Sequence, residues 1–380
     1  MNAVTPASPN SALKTALKAA LDAAPSTARL VVPCNDLPPL LDFLTETLGL
    51  KLERIFPADD PAVADLTGLG LNLRLTRQAA APANGTQLQV TTDLAQWPAN
   101  APRLLHGPEG WTVELLDSAV HVDVPAGHQA FVVSRLPAGN AGEGWGVGRA
   151  GMRYRDLIPD RLGGRFIASH IAIPEGGPVP DYVHYHHVRF QMIFCKAGWV
   201  RVVYEDQGEP FVLEAGDCVL QPPGIRHRVL EASPGLEVVE IGCPAIHETC
   251  VDPVLELPNA TLNPERLFGG QRFVRHVDAA KPWLSAAGWP AGAEARDTGI
   301  GAATFGLAQV QVVRGAPGYS GTLQHGGEFR MLFVLDGELV LAAAERAAEP
   351  LAEGDSVVLP AGEAFSITSA GGFRVLEIAL

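Results

Sequence analysis

The sequence predicts a mainly β protein, in which two small β-barrels follow a small α+β module of βαβββ order. Three observations predict this fold class. Short strand-like runs separated by Gly- and Pro-containing turns dominate the second half of the chain. The turn spacing of residues 184–227 recurs near the C-terminus. Near the N-terminus, one helix-like run lies between strand-like runs.

The composition limits the classes of partner. The chain has 380 residues, of which 47% are hydrophobic and 18% charged, with 40 Gly and 31 Pro. Such a chain can bury a sizeable core and form two or three domains. Its formal net charge of −14 argues against nucleic acid and against an anionic membrane surface. No apolar run approaches the ~20 residues of a spanning helix, so we expect neither partner.

Cysteine usage indicates the compartment. The five cysteines are scattered, odd in number and without CxxC spacing: Cys34, Cys195, Cys218, Cys243 and Cys250. A disulfide framework or a cysteine-based zinc site is therefore not expected, and a reducing compartment is favoured. The N-terminus lacks the pattern of a secretory signal. We expect a cytoplasmic protein.

The first third of the chain divides into an N-terminal segment, 1–25, and an α+β module, 26–135. The segment contains an Ala-rich amphipathic helix at 11–23. In the module, early prolines and Gly49 delimit a helix at 36–48. Strands are expected before and after it, at 28–33, 51–56, 62–68 and 70–76, and further strands within 86–117.

The first barrel is expected within 136–255 and the second within 256–380. The Gly-rich stretch 136–165 contains five arginines and predicts a solvated connector that leads into the barrel. From Phe166 to Ile241 the pattern consists of strands and turns, as in a barrel. Residues 252–300 are richer in Pro and Ala and predict a second connector.

Four side chains of metal-ligand type are spaced along the first barrel. His184 and His186 lie two apart on a predicted strand, so their side chains share one face. Gln191 lies at odd spacing from them and joins them only across a bulge. Turns at Gly216, Pro222 and Gly224 return a later strand that carries His227. We predict a metal site of His184, His186, Gln191 and His227, and the sequence assigns no catalytic residue.

These stretches resemble the two motifs of the cupin superfamily, G-x5-H-x-H-x3-4-E-x6-G and G-x5-P-x-G-x2-H-x3-N. Gln191 stands where the family usually has Glu, so it either binds through its carbonyl oxygen or leaves a coordination position open. The resemblance implies one divalent metal ion per chain, with Fe(II) favoured and Zn, Ni, Cu or Mn as alternatives. It also implies a small-molecule substrate and a homodimer.

The C-terminal repeat resembles a degenerate second barrel, which makes the chain similar to a bicupin. Gly318–Gly337 aligns with the first motif, and Gly354, Pro360 and Gly362 align with the second. The ligand positions become Leu323, His325, Arg330 and Phe365, a set that cannot hold a divalent ion. The N-terminal stretch 28–76 resembles one vicinal-oxygen-chelate (glyoxalase) module. We interpret it as a scaffold or interface module because it contains no His and no well-placed pair of metal-ligating carboxylates.

Three classes of function remain open for the first barrel. Bicupin resemblance favours a dioxygenase that cleaves a small aromatic or diketone-type substrate, with Arg189, Arg201 or Arg228 as carboxylate partners if they face inward. A Gln among three His is also similar to non-redox zinc cupins of the polyketide-cyclase, isomerase or lyase type. The third class is a small-molecule-binding bicupin without catalysis. We favour the dioxygenase.

Overall fold

The computed structural model describes residues 16–21, 26–77, 87–94, 97, 101–106, 112–118, 122–137, 144–148 and 152–380. The chain divides into two compact units. Unit 1 comprises Met1–His121 with Glu248–Val251, and unit 2 comprises Val122–His247 with Asp252–Leu380. The predicted helix at 11–23 is helical at residues 16–21 (α1), and its remaining positions lie outside the described residues.

Unit 1 has the predicted βαβββ order. Its first helix after α1 is α2 (Leu37–Asp42), which continues into a wider π turn at Phe43–Thr47. The strands before and after α2 are β1 (Thr27–Pro33), β2 (Lys51–Phe56), β3 (Val63–Gly68) and β4 (Leu71–Thr76). The predicted further strands are β5 (Gln87–Thr92), β6 (Leu104–His106) and β7 (Thr112–Asp117).

The sheet of unit 1 has the strand order β2-β3-β4-β1-β5-β7-β6. Leu37 of α2 packs with Ile55, Leu66 and Leu75 of the sheet in one apolar cluster. Asp65, which is buried, accepts hydrogen bonds from Arg29 and Arg74. Burying an unpaired carboxylate is costly, so these arginines let a charge lie inside the module.

Unit 2 contains both barrels. The strands of the first barrel are β9 (Gly146–Val147), β10 (Arg153–Asp156), β11 (Ile167–Ile173), β12 (Gly177–Pro178), β13 (His184–His186), β14 (Phe190–Ala197), β15 (Trp199–Tyr204), β16 (Phe211–Glu214), β17 (Cys218–Leu220), β18 (His227–Ala232) and β19 (Leu236–Cys243). Next in the chain are β20 (Thr249–Val251), which belongs to unit 1, and the hairpin of β21 (Leu267–Phe268) and β22 (Gln271–Arg272). The last strand of the first barrel, β23 (Val274–His276), follows them. One wall has the order β23-β17-β14-β19-β11-β10-β9, and the other β16-β15-β18-β13.

The second barrel consists of strands β24 (Leu284–Ser285), β25 (Ala293–Asp297), β26 (Gln309–Gly315), β27 (Tyr319–Leu323), β28 (Arg330–Ala343), β29 (Arg346–Ala352), β30 (Ser356–Val358), β31 (Phe365–Ser369) and β32 (Phe373–Ala379), with β8 (Val132–Ser134) from before the first barrel. Its main wall has the order β24-β25-β26-β32-β28-β30-β8. This order matches that of the first barrel strand for strand, so the sequence repeat is also a structural repeat. Two short helices, α3 (Arg161–Gly164) and α4 (Ile300–Ala303), and a 3-10 turn at Asp278–Ala280 complete the unit.

The two barrels exchange edge strands. β8 precedes the first barrel in sequence but pairs with β30 of the second. β23 precedes the second barrel but pairs with β17 of the first. Each wall therefore ends in a strand from the segment that precedes the other barrel, and this covers an edge that would otherwise be exposed.

A continuous apolar core lies between the barrels. It contains Phe190 and Phe194 from β14 together with Met331 and Phe333 from β28. The outward faces of the two equivalent strands are thus buried against each other. The inward faces of these strands line the barrel interiors. Polar side chains of β14 and β28 can therefore lie inside the barrels.

Two glycines of the first motif pair are required by close packing. Gly198 has a φ of 71°, and a Cβ there would lie 2.4 Å from Ser233 Oγ. Gly216 has a φ of 101°, and a Cβ there would lie 3.0 Å from Asp278 Cβ. Both residues close turns at which a side chain does not fit.

Two predictions about the connectors were wrong. The stretch 252–300 contains β21 to β25. Of these, β23 pairs with β17, about 55 residues earlier in the chain, a contact that local composition cannot reveal. The arginines of 136–165 are not all solvated, since Arg155 is only 3% exposed and donates to Gly354 O and His170 Nδ1.

The five cysteines are all free thiols, and four of them are buried. Burial raises the pKa of Cys195 to about 12. In the part of the chain that the structure describes, we find no helix with the length and apolarity that crossing a membrane requires.

Candidate metal centre

Three predicted histidines converge inside the first barrel. His184 and His186 lie at the two ends of β13 and are 2% and 7% exposed. His227 begins β18 and is the direct cross-strand partner of His184. One ring nitrogen from each histidine lies within 4.8 Å of those of the other two. The structure thus forms a buried three-imidazole cluster.

Backbone carbonyls determine the tautomers of two of these rings. His184 Nδ1 lies 2.8 Å from Tyr182 O, and His227 Nδ1 lies 3.1 Å from Ile225 O. A carbonyl only accepts, so each Nδ1 carries the hydrogen and each Nε2 carries a lone pair. In a metal-binding imidazole, the ring nitrogen that does not bind the metal usually donates a hydrogen bond of this kind. The buried Asp181 carboxylate, 3.5 Å from His184 Nδ1, adds to this support.

Gln191 lies on the opposite wall of the barrel. It is 2% exposed and alternates along β14 with Phe190 and Met192 of the inter-barrel core, so its side chain faces the interior. Its Nε2 donates to Glu240 Oε1 at 2.6 Å. Because a carboxylate accepts and cannot donate, the amide nitrogen must face Glu240. The carbonyl oxygen is then the atom of Gln191 that is free to bind a ligand.

Comparison with known proteins identifies the domain. The sequence profile of the family described as a cupin domain matches residues 169–241. The chain contains a cupin domain. The matched residues run from β11 to β19 and include all four predicted ligands of the metal site.

Solved structures with a similar fold include a dioxygenase and a decarboxylase. The salicylate 1,2-dioxygenase from Pseudaminobacter salicylatoxidans is 14% identical, covers 67% of this chain and 86% of its own, and gives a TM-score of 0.48. A deletion mutant of the Bacillus subtilis oxalate decarboxylase is 14% identical, with coverages of 60% and 72% and a TM-score of 0.44. A putative glyoxylate-induced protein from Pseudomonas aeruginosa is 15% identical, with coverages of 68% and 94% and a TM-score of 0.47. No curated protein matches the sequence.

Sequence reasoning missed four polar residues of the cupin interior or its rim. Tyr204 is the cross-strand partner of His227, and their rings stack at 5.5 Å. Burial raises the pKa of Tyr204 well above its ordinary value of 10. Gln221 Nε2 lies 3.0 Å from the Tyr204 hydroxyl, and Glu240 holds Gln191.

The fourth missed residue is His247, just after the cupin domain. Its ring centroid lies 5.3 Å from that of His186, and its Nδ1 donates to Pro244 O at 2.9 Å. A Cβ at Gly242 would lie 3.1 Å from His247 Cε1, so the glycine allows this approach. A single histidine in a loop has no spacing signal that could have identified it.

The internal repeat could have revealed Glu240. Gln191 pairs with Gly242 in the first barrel, as Arg330 pairs with Ala379 in the second. Glu240 and Glu377 lie two residues before those partners, each followed by Ile in the sequence. In both barrels, a carboxylate therefore hydrogen-bonds to the residue at the acid position of the motif, Glu240 to Gln191 and Glu377 to Arg330.

The second barrel fills its centre with protein hydrogen bonds. Arg330, 4% exposed, donates through Nε to Glu377 Oε1 at 2.6 Å, and Gln311 and Trp289 donate to Glu377 Oε2. Leu323 pairs with Phe365 in the register that His184 and His227 use in the first barrel. In the described residues of this barrel no triad of metal-ligating side chains occurs.

Two of the three arginines considered as carboxylate partners are bound elsewhere. Arg189 pairs with Glu328, and Arg201 pairs with Glu231 at the surface with 45% of its side chain exposed. Arg228 follows the inward-facing His227 on β18 and so faces away from the cluster. None of the three is therefore positioned to hold a substrate carboxylate at the histidine cluster. The direction in which an arginine points depends on its place in the alternation of the strand, which composition does not reveal.

The donor set fits a divalent metal ion. Imidazole nitrogens suit Fe, Zn, Cu and Ni, and an amide oxygen adds a weak neutral ligand. Two of the three rings are already held as the required tautomer before any ion binds. The cupin domain therefore contains a His-rich candidate metal site.

Proposed function

We propose that this protein is a metal-dependent cupin enzyme, and specifically a dioxygenase that cleaves a small aromatic or diketone-type substrate. The metal would be held by His184, His186 and His227, with Fe(II) favoured over Zn, Ni, Cu or Mn. The observation that supports this most directly is the buried cluster of three imidazoles, two of which are held as the required tautomer by backbone carbonyls. A buried cluster of this kind would be a net cost to stability if it bound nothing.

A bound Fe(II) supplies Lewis acidity and redox chemistry toward a chelating substrate. The chain's own residues do the rest. The three imidazoles are neutral, so the ion keeps its full charge and remains electrophilic. Tyr182 O, Ile225 O and Asp181 hold the rings of His184 and His227 in orientation.

We further propose that Gln191 is the fourth ligand, bound through its carbonyl oxygen. Glu240 supports this role because its 2.6 Å hydrogen bond orients the amide. Glu240 also places a negative charge next to the side chain of Gln191, the position where the family usually has a glutamate ligand. The carboxylate would then act on the ion through the polarised amide.

A non-redox zinc cupin of the cyclase, isomerase or lyase type is the second candidate. The neutral Gln191 favours it, since a site with four neutral ligands leaves a dication well suited to polarise a carbonyl. A binding protein without catalysis is the third. The native metal separates these classes.

The test is elemental analysis of protein purified without chelator, followed by oxygen uptake with hydroxylated aromatics and diketones. We expect close to one Fe per chain, and its loss in a His184→Ala/His227→Ala variant. His325→Ala is the matched control, because it removes a histidine from the second barrel and should leave the metal content unchanged.

Each other outcome has a definite meaning. Zinc that is lost in the double variant would replace the dioxygenase with the non-redox candidate. Protein that takes up no ion after reconstitution, or metal that persists in the double variant, would contradict both metalloenzyme proposals. The homodimer, the cytoplasmic location, the small-molecule substrate and the domain limits at residues 25, 135 and 255 stay predictions.

A further inference from the structure

Tyr204 lines the same interior surface as the histidine cluster. It ends β15, pairs directly with His227 on β18 and stacks on the His227 ring at an interplanar angle of 22°. Cross-strand partners project to the same face of a sheet. Phe273 also packs against Tyr204, with ring centroids 4.6 Å apart.

Gln221 shares one hydrogen bond with Tyr204. Its backbone N–H donates to Gln191 O at 2.9 Å, and its Nε2 lies 3.0 Å from the Tyr204 hydroxyl. Gln221 is 2% exposed, and its Oε1 is buried without a hydrogen-bond partner. Among the described residues, the Tyr204 O–H donates to no acceptor either.

The unmatched groups do not depend on how the amide is oriented. As placed, the pair leaves the Tyr204 O–H as a donor and Gln221 Oε1 as an acceptor. With the amide rotated by 180°, the hydroxyl donates to Oε1, and the pair leaves the amide N–H as a donor and the phenolic oxygen as an acceptor. Either way, the interior contains at least one unmatched donor and one unmatched acceptor beside His227.

We propose that Tyr204 and Gln221 recognise the small molecule of this site by donating to it and accepting from it at adjacent atoms. A hydroxyl group is the simplest partner that does both. A plain carboxylate only accepts and would leave the protein acceptor unmatched. The ligand class is therefore a hydroxylated oxygen chelator, such as a hydroxy acid or an enol, and this inference rests on the proposed metal-dependent function.

The test measures the binding of two probes, 2-hydroxybenzoate and benzoate, which differ by one hydroxyl group. Titrations are made calorimetrically under argon on metal-loaded wild-type protein and on Tyr204→Phe and Gln221→Leu variants. We expect each variant to weaken 2-hydroxybenzoate about tenfold, the usual effect of one hydrogen bond, and to leave benzoate affinity unchanged. Metal content, measured on the same samples, should stay equal to that of the wild type.

Tyr319→Phe is the matched control, because it removes a hydroxyl from a largely buried tyrosine of the second barrel and should shift neither probe. Equal affinity changes for both probes, or none for either, would overturn the proposal and assign the unmatched atoms to water. The readout needs no turnover. A protein that shows the hydroxyl-dependent difference but consumes no oxygen would contradict the dioxygenase and leave this inference standing.

Discussion

At the scale of single residues, position 191 separates this chain from the usual motif. A glutamate there would be a charged ligand, whereas Gln191 is neutral and hydrogen-bonds to Glu240. With the proposed ligand set, the two tasks of an acidic ligand would be divided between Gln191 and Glu240. One would supply the oxygen and the other the charge.

Removing the charge of Glu240 is expected to weaken metal binding. In a Glu240→Gln variant the partner of the Gln191 amide can also donate, so the amide loses its enforced orientation. We expect a 10- to 100-fold loss of metal affinity, the usual effect of removing a group that orients a ligand. Competition with a chromophoric chelator measures it.

Glu231→Gln is the control for this variant, because Glu231 is an exposed glutamate of β18 paired with Arg201. Metal affinity should be unchanged in the control. Equal affinities in wild type and Glu240→Gln would show that Glu240 has no role in the site.

Restoring the usual acid at position 191 is expected to destabilise the metal-free protein. Gln191→Glu would place two carboxylates within hydrogen-bonding distance inside the barrel, and like charges at that range repel strongly. We expect a lower melting temperature without metal, and recovery in the double variant Gln191→Glu/Glu240→Gln. A Gln191→Glu protein as stable as the wild type would contradict this interpretation.

At the scale of elements, β10, β11 and β19 meet in a buried chain of polar side chains. Arg155 on β10 donates to His170 Nδ1 on β11 at 3.1 Å, so His170 must be neutral and carry its hydrogen on Nε2. That nitrogen lies 2.8 Å from Glu237 on β19, which Lys196 also contacts. The hydrogen bonds from His170 and Lys196 lower the pKa of Glu237 from 4.5 to about 2.

These hydrogen-bonded side chains predict that the protein loses stability as the pH falls. Burial lowers the pKa of His170 below its ordinary value of 6.5, so the unfolded chain binds that proton more tightly. The stability contributed by neutral His170 is complete above pH 6.5 and declines as the pH falls below it. The contribution of Glu237 is complete above pH 4.5 and is lost as the pH falls towards 2.

Urea unfolding at pH 7.5 and 5.5 checks the histidine part of this prediction. We expect His170→Gln to lose less stability than the wild type between the two pH values, because glutamine does not titrate. His128→Gln, which changes a half-exposed histidine paired with Asp160, should behave as the wild type. An unchanged pH dependence in His170→Gln would show that His170 does not titrate differently in the two states.

At the scale of the whole molecule, the two barrels of unit 2 are built as one body. They exchange β8 and β23 and share the core that contains Phe166 and Phe329, whose rings stack at 4.3 Å. Neither barrel has a complete wall without a strand from the segment before the other. The degenerate barrel would thus contribute to the metal site by supporting the barrel that contains it.

We therefore expect the two barrels to unfold in a single transition. Arg330→Met removes the cationic partner of Glu377 in the second barrel and leaves a buried carboxylate without charge compensation, at a cost of about 3–5 kcal/mol. Calorimetry should show one transition lowered on the order of 10 °C, for the barrel with the histidine cluster as well as its neighbour.

The control is Arg314→Met, which breaks an exposed ion pair with Glu294 and should move the transition little. Two separate transitions, of which Arg330→Met lowers only one, would show that the exchanged strands do not couple the barrels.

The sequence by itself determined the mainly β class, the βαβββ order of unit 1, the repeat and the three histidines. These depend on local periodicity and on fixed spacings between turns, which neighbouring residues specify. Tertiary structure alone decided that residues 274–276 form a strand paired with β17, that Arg155 is buried, and that Gln191 is held by Glu240. It also placed Tyr204, Gln221 and His247 near the site. Such features depend on partners distant in the chain, and their geometry exists only once the barrels have closed.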